Sequence, residues 1–198
     1  MKRLISVLLL ILLTDAVVAH AKDADFEENA ECLSIGEAKM TTEEGVVYHI
    51  PKSLVVDHEI DGEFFKGKDS TEIMGIYLKE TDTYLSAYQK NKNIILLHCA
   101  LGLVETHEKL LSEWNMNVNM SQQNKGDTAS LMAIEMVYDG YSHFICNNYN
   151  KLALEFEKND NIELAEDIYR RVLRRFYAEK FKGCFSEAEI SLQKIISR

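Results

Sequence analysis

Residues 152–176 read "LALEFEKNDNIELAEDIYRRVLRRF" and decide the fold class. The stretch contains no Pro or Gly, and its apolar residues recur every three to four positions, which is the period of an amphipathic helix. The polar triplet at 159–161 interrupts this pattern, so the stretch predicts two helices joined by a short turn. We predict a first helix over about 146–158 and a second over about 162–180.

Small and aromatic residues occupy the positions where the two helices would cross. Ala153 and Ala165 allow close approach of the helices, and aromatic side chains fill the space around the crossing. The predicted packing set is Tyr149, Leu152, Ala153, Phe156, Ala165 and Tyr169.

This spacing resembles one unit of a tetratricopeptide repeat, a helix–turn–helix of about 34 residues, here about 146–179. The chain departs from the repeat pattern because the usual Trp is Tyr149, the usual Gly is Ala153, and Tyr177 lies near the place of the final Pro. Two interpretations follow. A repeat protein whose other units have drifted would have a concave protein-binding surface, whereas an ordinary antiparallel helix pair would only form a core.

Helical spacing also dominates the rest of the chain after residue 68. Helices are predicted over 69–91, over 93–114 and from 128, with a bend or end at Gly140, and a polar loop is predicted over 115–126. The capping box Ser186-x-x-Glu189 predicts the start of a last helix.

Upstream of residue 68 the pattern is mixed. The acidic segment 24–40 is compatible with a helix, and Asp61-Gly62 between two apolar runs predicts a small β-hairpin near 46–66. The fold class is therefore mainly α, as an antiparallel helix-pair bundle or a short repeat-like stack.

The N-terminus has the three parts of a secretory signal. Lys2 and Arg3 precede an apolar run, and Ala19-His20-Ala21 is a small-x-small cleavage pattern. We predict a signal peptide over 1–21, and then a single disulfide-bonded α-helical domain over 22–198, in which 146–198 form the repeat-like hairpin and a capping helix. The predicted location is the bacterial periplasm or the outside of the cell.

Four widely spaced cysteines remain after signal removal, and no C-x-x-C motif occurs. An even number of cysteines in an exported chain favours two disulfides. The repeat resemblance stacks the first helices of successive units side by side and thereby implies Cys146–Cys184, which leaves Cys32–Cys99 by elimination.

The formal net charge of −10 bears on the partner. An acidic surface repels nucleic acid and anionic lipid, so we expect neither as a partner and no membrane insertion after signal cleavage. Four basic residues form a candidate partner-binding patch, although Glu166 and Asp167 are placed to neutralise two of them by i,i+4 pairing. The patch is Arg170, Arg171, Arg174 and Arg175.

The sequence contains no complete motif for catalysis or metal binding. Asp57, Glu59, Asp61 and Gly62 match the start of a calcium loop, but Lys68 stands where the bidentate Glu is required. The sequence predicts no cofactor, no metal site and no catalytic residue.

The predicted function is an exported non-enzymatic protein-binding domain, either a repeat-like adaptor or an inhibitor or immunity protein of the periplasm. The alternative is a periplasmic hydrolase or small-ligand-binding domain without a recognisable motif. The partner's identity and the oligomeric state stay open.

Overall fold

The computed structural model describes residues 38–41, 45, 47–51, 55–56, 59–60, 70–123 and 128–197. Most of these residues are helical, so the predicted mainly α class is confirmed. The described helices are α1 (Ser70–Asn91), α2 (Ile94–Gln123), α3 (Thr128–Lys158), α4 (Ile162–Arg175) and α5 (Lys182–Ile196).

The helices pack in chain order, each against the next. Short connections make such neighbours antiparallel. In addition, α3 contacts both α1 and α5, so these three helices share one layer while α2 and α4 form the other. None of the described helices combines the length and the hydrophobicity that crossing a membrane requires.

The first half of α2 is the centre of the core. Leu97, Ala100, Leu103 and Val104 are all but inaccessible to solvent, and α2 contacts α1, α3 and a strand. A helix that is apolar around its whole circumference needs neighbours on several sides. The continuous apolar run in this part of the sequence therefore corresponds to the helix with the most burial.

Among the residues that the structure describes, four short strands form two antiparallel pairs. β1 (Ala38–Thr41) pairs with β2 (Val47–Ile50), and β3 (Val55–Val56) pairs with β4 (Glu59–Ile60). The expected helix over 24–40 is wrong at its end, because residues 38–40 are in β1. The antiparallel pair of β3 and β4 lies within the range 46–66 in which a small hairpin was predicted, and the expected turn residues Asp61 and Gly62 lie outside the described residues. Val55 pairs with Ile60 across the two strands, and β-branched residues such as these favour extended backbone.

Strand β2 packs on α2 at Gly102. The His49 backbone N–H donates to Thr106 Oγ1 at 2.7 Å, and Tyr48 Oη donates to Glu113 Oε1 at 3.0 Å. A Cβ at residue 102 would lie 2.2 Å from His49 Nδ1, so only Gly admits the imidazole at this distance.

Helix α2 is longer than the sequence predicts. Residues 115–123 continue the helix, although 115–126 were expected to form a loop. Asn and Gln are weak helix formers, yet neither stops a helix as Pro does, and no Pro or Gly occurs between Trp114 and Lys125. The residues 124–127 lie outside the described part of the chain.

Helix α3 is continuous through Gly140, where the sequence predicts a bend or an end, and through Cys146, where it predicts a helix start. One Gly in a helix interior costs only about 1 kcal/mol. Contacts made just after Gly140 outweigh this cost: Tyr141 Oη donates to the Thr71 carbonyl at 2.9 Å, and Ile145 is buried in the core.

The chain between α4 and α5 also differs from the prediction. Helix α4 ends at Arg175 rather than Lys180, because the backbone of Phe176 is extended and its ring packs edge-on against Phe181. Helix α5 begins at Lys182, four residues before the predicted capping Ser186. The burial of two aromatic rings in this turn therefore overrides the capping signal.

Candidate functional site

The predicted packing residues of the 146–179 hairpin are core residues. At most 1% of the surface of any of the six is exposed: Tyr149, Leu152, Ala153, Phe156, Ala165 and Tyr169. The turn between α3 and α4 closes the hairpin, with the Asn161 N–H donating to the Phe156 carbonyl and the Asp160 N–H donating to the Glu157 carbonyl. Asp160 has φ +59°, so this turn is a Schellman motif with Asp at the left-handed position. The hairpin is scaffold.

The four arginines of the predicted patch are divided between different partners. Arg170 pairs with Glu166 at 2.6 Å, as predicted, whereas Arg171 pairs with Glu105 of α2 rather than Asp167. Arg175 pairs with Glu108 at 3.0 Å. Arg174 is exposed and forms no ion pair with any described residue. Three of the four charges are therefore compensated within the protein, which weakens this surface as an anion-binding patch.

A polar cluster joins α2, α3 and α4 at these arginines. Tyr149 Oη donates to Glu108 Oε2 at 2.6 Å, and the Arg171 guanidinium lies over the Tyr149 ring. Burial and the negative charge of Glu108 raise the pKa of Tyr149 well above its usual range, so the phenol stays protonated and donates. The polar cluster holds the two helix layers together.

The most accessible apolar side chains of α3 share one face. At about 100° per residue these positions lie within about 120° of the helix circumference. The exposed fraction is 67% for Met132, 70% for Met136, 52% for Phe144 and 44% for Leu154. We call these four residues the apolar stripe.

The apolar stripe runs into a groove between α1 and α5. A cavity of about 600 Å³ lies in this groove over the second half of α3. Phe144, Leu154 and the polar residues 147, 148, 150 and 151 of α3 line it, together with Tyr169 of α4. The walls are Leu78 and Asp82 of α1 and Glu187 and Ser191 of α5.

Two links attach the α5 wall to α3. Cys146 and Cys184 form a disulfide, as the sequence analysis predicts, with their Cα atoms 6.1 Å apart. One turn further along α3, Asn150 Nδ2 donates to the Cys184 carbonyl at 2.8 Å. Cys99 is also in a disulfide, and its predicted partner Cys32 lies outside the described residues, as does the predicted signal peptide.

The carboxamide of Asn150 is oriented by two acceptors. Nδ2 donates to the Cys184 carbonyl and to Glu187 Oε2, the latter at 3.3 Å. Both acceptors contact Nδ2, so neither of them involves the amide oxygen Oδ1. Only 7% of Asn150 is exposed, and its Oδ1 has no hydrogen-bond partner among the residues described. A buried acceptor without a donor costs about 1–3 kcal/mol.

The described titratable groups outside the groove do not converge on a metal site. In the part of the chain that the structure describes, no group of three His, Cys, Asp or Glu side chains is placed to hold a metal ion. His107 is buried between the rings of Tyr77 and Tyr141, and burial lowers its pKa from 6.5 to about 4. This residue is neutral and belongs to the core.

Sequence reasoning missed the groove. Helical spacing marks the buried face of each helix, and residues such as Met132 and Phe144 appear only as apolar positions off that face. A weak signal was available, since two methionines four residues apart on an otherwise polar face are unusual. Comparison with protein-family models, curated proteins and solved structures found no match to this chain.

Proposed function

We propose that the protein is an exported adaptor that binds an extended segment of another protein in the groove between α1 and α5. The observation that carries this proposal is the apolar stripe of α3, four large side chains exposed along one face and rimmed by polar residues. Exposed apolar side chains that are contiguous and rimmed by polar groups mark interaction sites in soluble proteins.

The surrounding structure favours an adaptor over an inhibitor. An inhibitor or immunity protein would present one protruding patch or loop, for example at 115–126, but residues 115–123 are helical. A groove lined by alternate helices of a stack is the arrangement with which helical repeat proteins bind segments of their partners. The single-unit resemblance of 146–179 agrees with this proposal.

Export is supported by the cysteines. The Cys146–Cys184 disulfide and the disulfide of Cys99 favour an oxidising compartment, where disulfides form and persist. Together with the N-terminal signal pattern, they support the proposal that the adaptor acts in the periplasm or outside the cell.

The groove is tested with a displayed decapeptide library and the purified, disulfide-bonded chain. We expect selected peptides to bind, and Phe144→Asp or Leu154→Asp to weaken their affinity at least about tenfold, because each places a charge at an apolar contact. The control is Ile196→Asp, which alters an equally accessible apolar residue, 62% exposed, at the end of α5. This control should change affinity less than about twofold.

Circular dichroism and urea denaturation of each variant establish that the fold is retained. The proposal is wrong if the library yields no binder, or if selected peptides bind the two groove variants as tightly as the native chain.

A further inference from the structure

The polar groups of the groove are mostly hydrogen-bond acceptors. Asp82 and Glu187 face it from α1 and α5, and Asn150 lies between them on α3. Neither carboxylate forms an ion pair with a described residue, in contrast to Glu105 and Glu108 of the polar cluster. The groove therefore has unpaired negative charge on both walls.

Acceptor capacity remains on each of these groups. A carboxylate offers about four acceptor positions, and Glu187 uses one of them in a 3.3 Å contact with Asn150 Nδ2. The buried Oδ1 of Asn150 is unpartnered, and the orientation of its amide is set by the Cys184 carbonyl and Glu187. A ligand group with several N–H donors would satisfy all three residues.

The cation that lines the same cavity does not fill this role. Lys151 is on the exposed face of α3, and its Nζ lies 3.4 Å from Asn148 Oδ1. An aromatic ring completes the surroundings, since Phe144 lines the cavity and is 52% exposed. Planar guanidinium groups stack on aromatic rings and bind carboxylates through two parallel N–H donors.

We propose that this part of the groove is a subsite for an arginine side chain of the bound segment, with Asp82, Glu187 and Asn150 Oδ1 as acceptors. This inference rests on the proposed function. Arginine is preferred to lysine because the planar guanidinium group carries five N–H donors and can donate to a carboxylate and an amide oxygen at the same time. The lysine ammonium group is a compact point charge without this planar arrangement of donors. The chain's net charge of −10 also favours a basic partner, which agrees with an arginine in the bound segment.

The test uses the selected decapeptides with arginine replaced in turn by citrulline and by lysine. We expect arginine at one position of the binders, about 10- to 100-fold weaker binding with citrulline, and an intermediate loss with lysine. Glu187→Gln should weaken the arginine peptide about tenfold and leave the citrulline peptide almost unchanged.

The matched control is Glu189→Gln, which removes the same charge from an exposed position of α5 that does not line the cavity. It should leave both peptides within about twofold of their native affinity. Glu187 is exposed and Gln is isosteric with it, so the variant is expected to fold.

The outcomes separate the two proposals. If no peptide binds, both the groove and the subsite are wrong. Binding peptides whose affinity is weakened by Phe144→Asp would support the groove. If arginine is then not selected, or if Glu187→Gln changes the affinity no more than Glu189→Gln does, only the arginine subsite is wrong.

Discussion

His107 shows at the scale of one residue how packing sets ionisation. Only 2% of its surface is exposed, its Nε2 has no hydrogen-bond partner among the described residues, and the rings of Tyr77 and Tyr141 lie on its sides. An apolar pocket disfavours the charged imidazolium. From the sequence alone, His107 could not be distinguished from the exposed His98 of the same helix or His143 of α3.

Acidification should destabilise the fold through His107. The unfolded chain takes up the proton near pH 6.5, whereas the folded protein takes it up only near its lowered pKa of about 4. Between these pH values the unfolded state binds more protons than the folded state. The contribution of His107 to the free energy of unfolding therefore falls by about 1.4 kcal/mol for each unit by which the pH is lowered.

Urea denaturation from pH 7.5 to pH 4 of the native chain and of His107→Phe measures this effect. As the pH is lowered over this range, the free energy of unfolding of the native chain should fall by about 3 kcal/mol relative to that of His107→Phe. A difference that stays constant with pH would show that His107 does not carry the lowered pKa.

Asp160 is strained by its turn. Its φ of +59° lies in the left-handed region, where side chains with a Cβ are disfavoured and Gly is not. We expect Asp160→Gly to raise the free energy of unfolding by about 0.5–1 kcal/mol. The neighbouring Asn161 has φ −88°, so Asn161→Gly should be neutral or destabilising because Gly only adds freedom to the unfolded chain.

Thermal and urea denaturation of the two variants side by side checks this prediction. Equal effects of Gly at 160 and 161 would contradict it. The triplet at 159–161 was predicted as a turn from its polar residues, but which of the three adopts positive φ follows from the hydrogen bonds that end α3.

At the scale of elements, the ends of the helices were the least predictable. The existence of α1, α2, α4 and α5 follows from periodicity, because each has an apolar face at helical spacing. Their ends depend on contacts distant in sequence. Helix α4 ends where Phe176 turns to meet Phe181, and no Gly or Pro marks this position.

Removing the link between α3 and α5 should cost substantial stability. Cys146 and Cys184 are separated by 38 residues, and a loop of this length gives a chain-entropy contribution of about 4 kcal/mol. We expect the double variant Cys146→Ala/Cys184→Ala to lose about 3–4 kcal/mol, because the unfolded chain gains that freedom. The double variant keeps Cys99, so the other disulfide is unchanged.

Urea denaturation without reductant measures this loss, and near-ultraviolet circular dichroism reports whether the packing of aromatic residues around α5 is retained. A loss below about 1 kcal/mol would mean that the hydrogen bonds of Asn150 and the apolar contacts of α5 alone hold it in place.

At the scale of the whole molecule, two layers of helices produce two different surfaces. The polar cluster pairs α2 with α4 through Glu105, Glu108 and their arginine partners. The other layer leaves the apolar stripe of α3 exposed between α1 and α5. The proposed partner binding depends on the second surface, and the candidate patch of arginines belongs to the first.

The amino-acid sequence by itself determined the helical class, the hairpin with its six buried residues, and the pairing of Cys146 with Cys184. The first two follow from local periodicity and from small and aromatic residues at the crossing, and the pairing of Cys146 with Cys184 was expected from the resemblance of 146–179 to a repeat unit. The sequence also indicated that one basic residue, Arg170, is neutralised within its own helix.

Only the tertiary structure decided where the helices end, which glutamate each arginine meets, and where the groove lies. The physical reason is that periodicity records whether a side chain is buried and does not record its partner. The groove brings Asp82, Asn150 and Glu187 together from three helices, and only the packing of α1, α3 and α5 makes these residues neighbours.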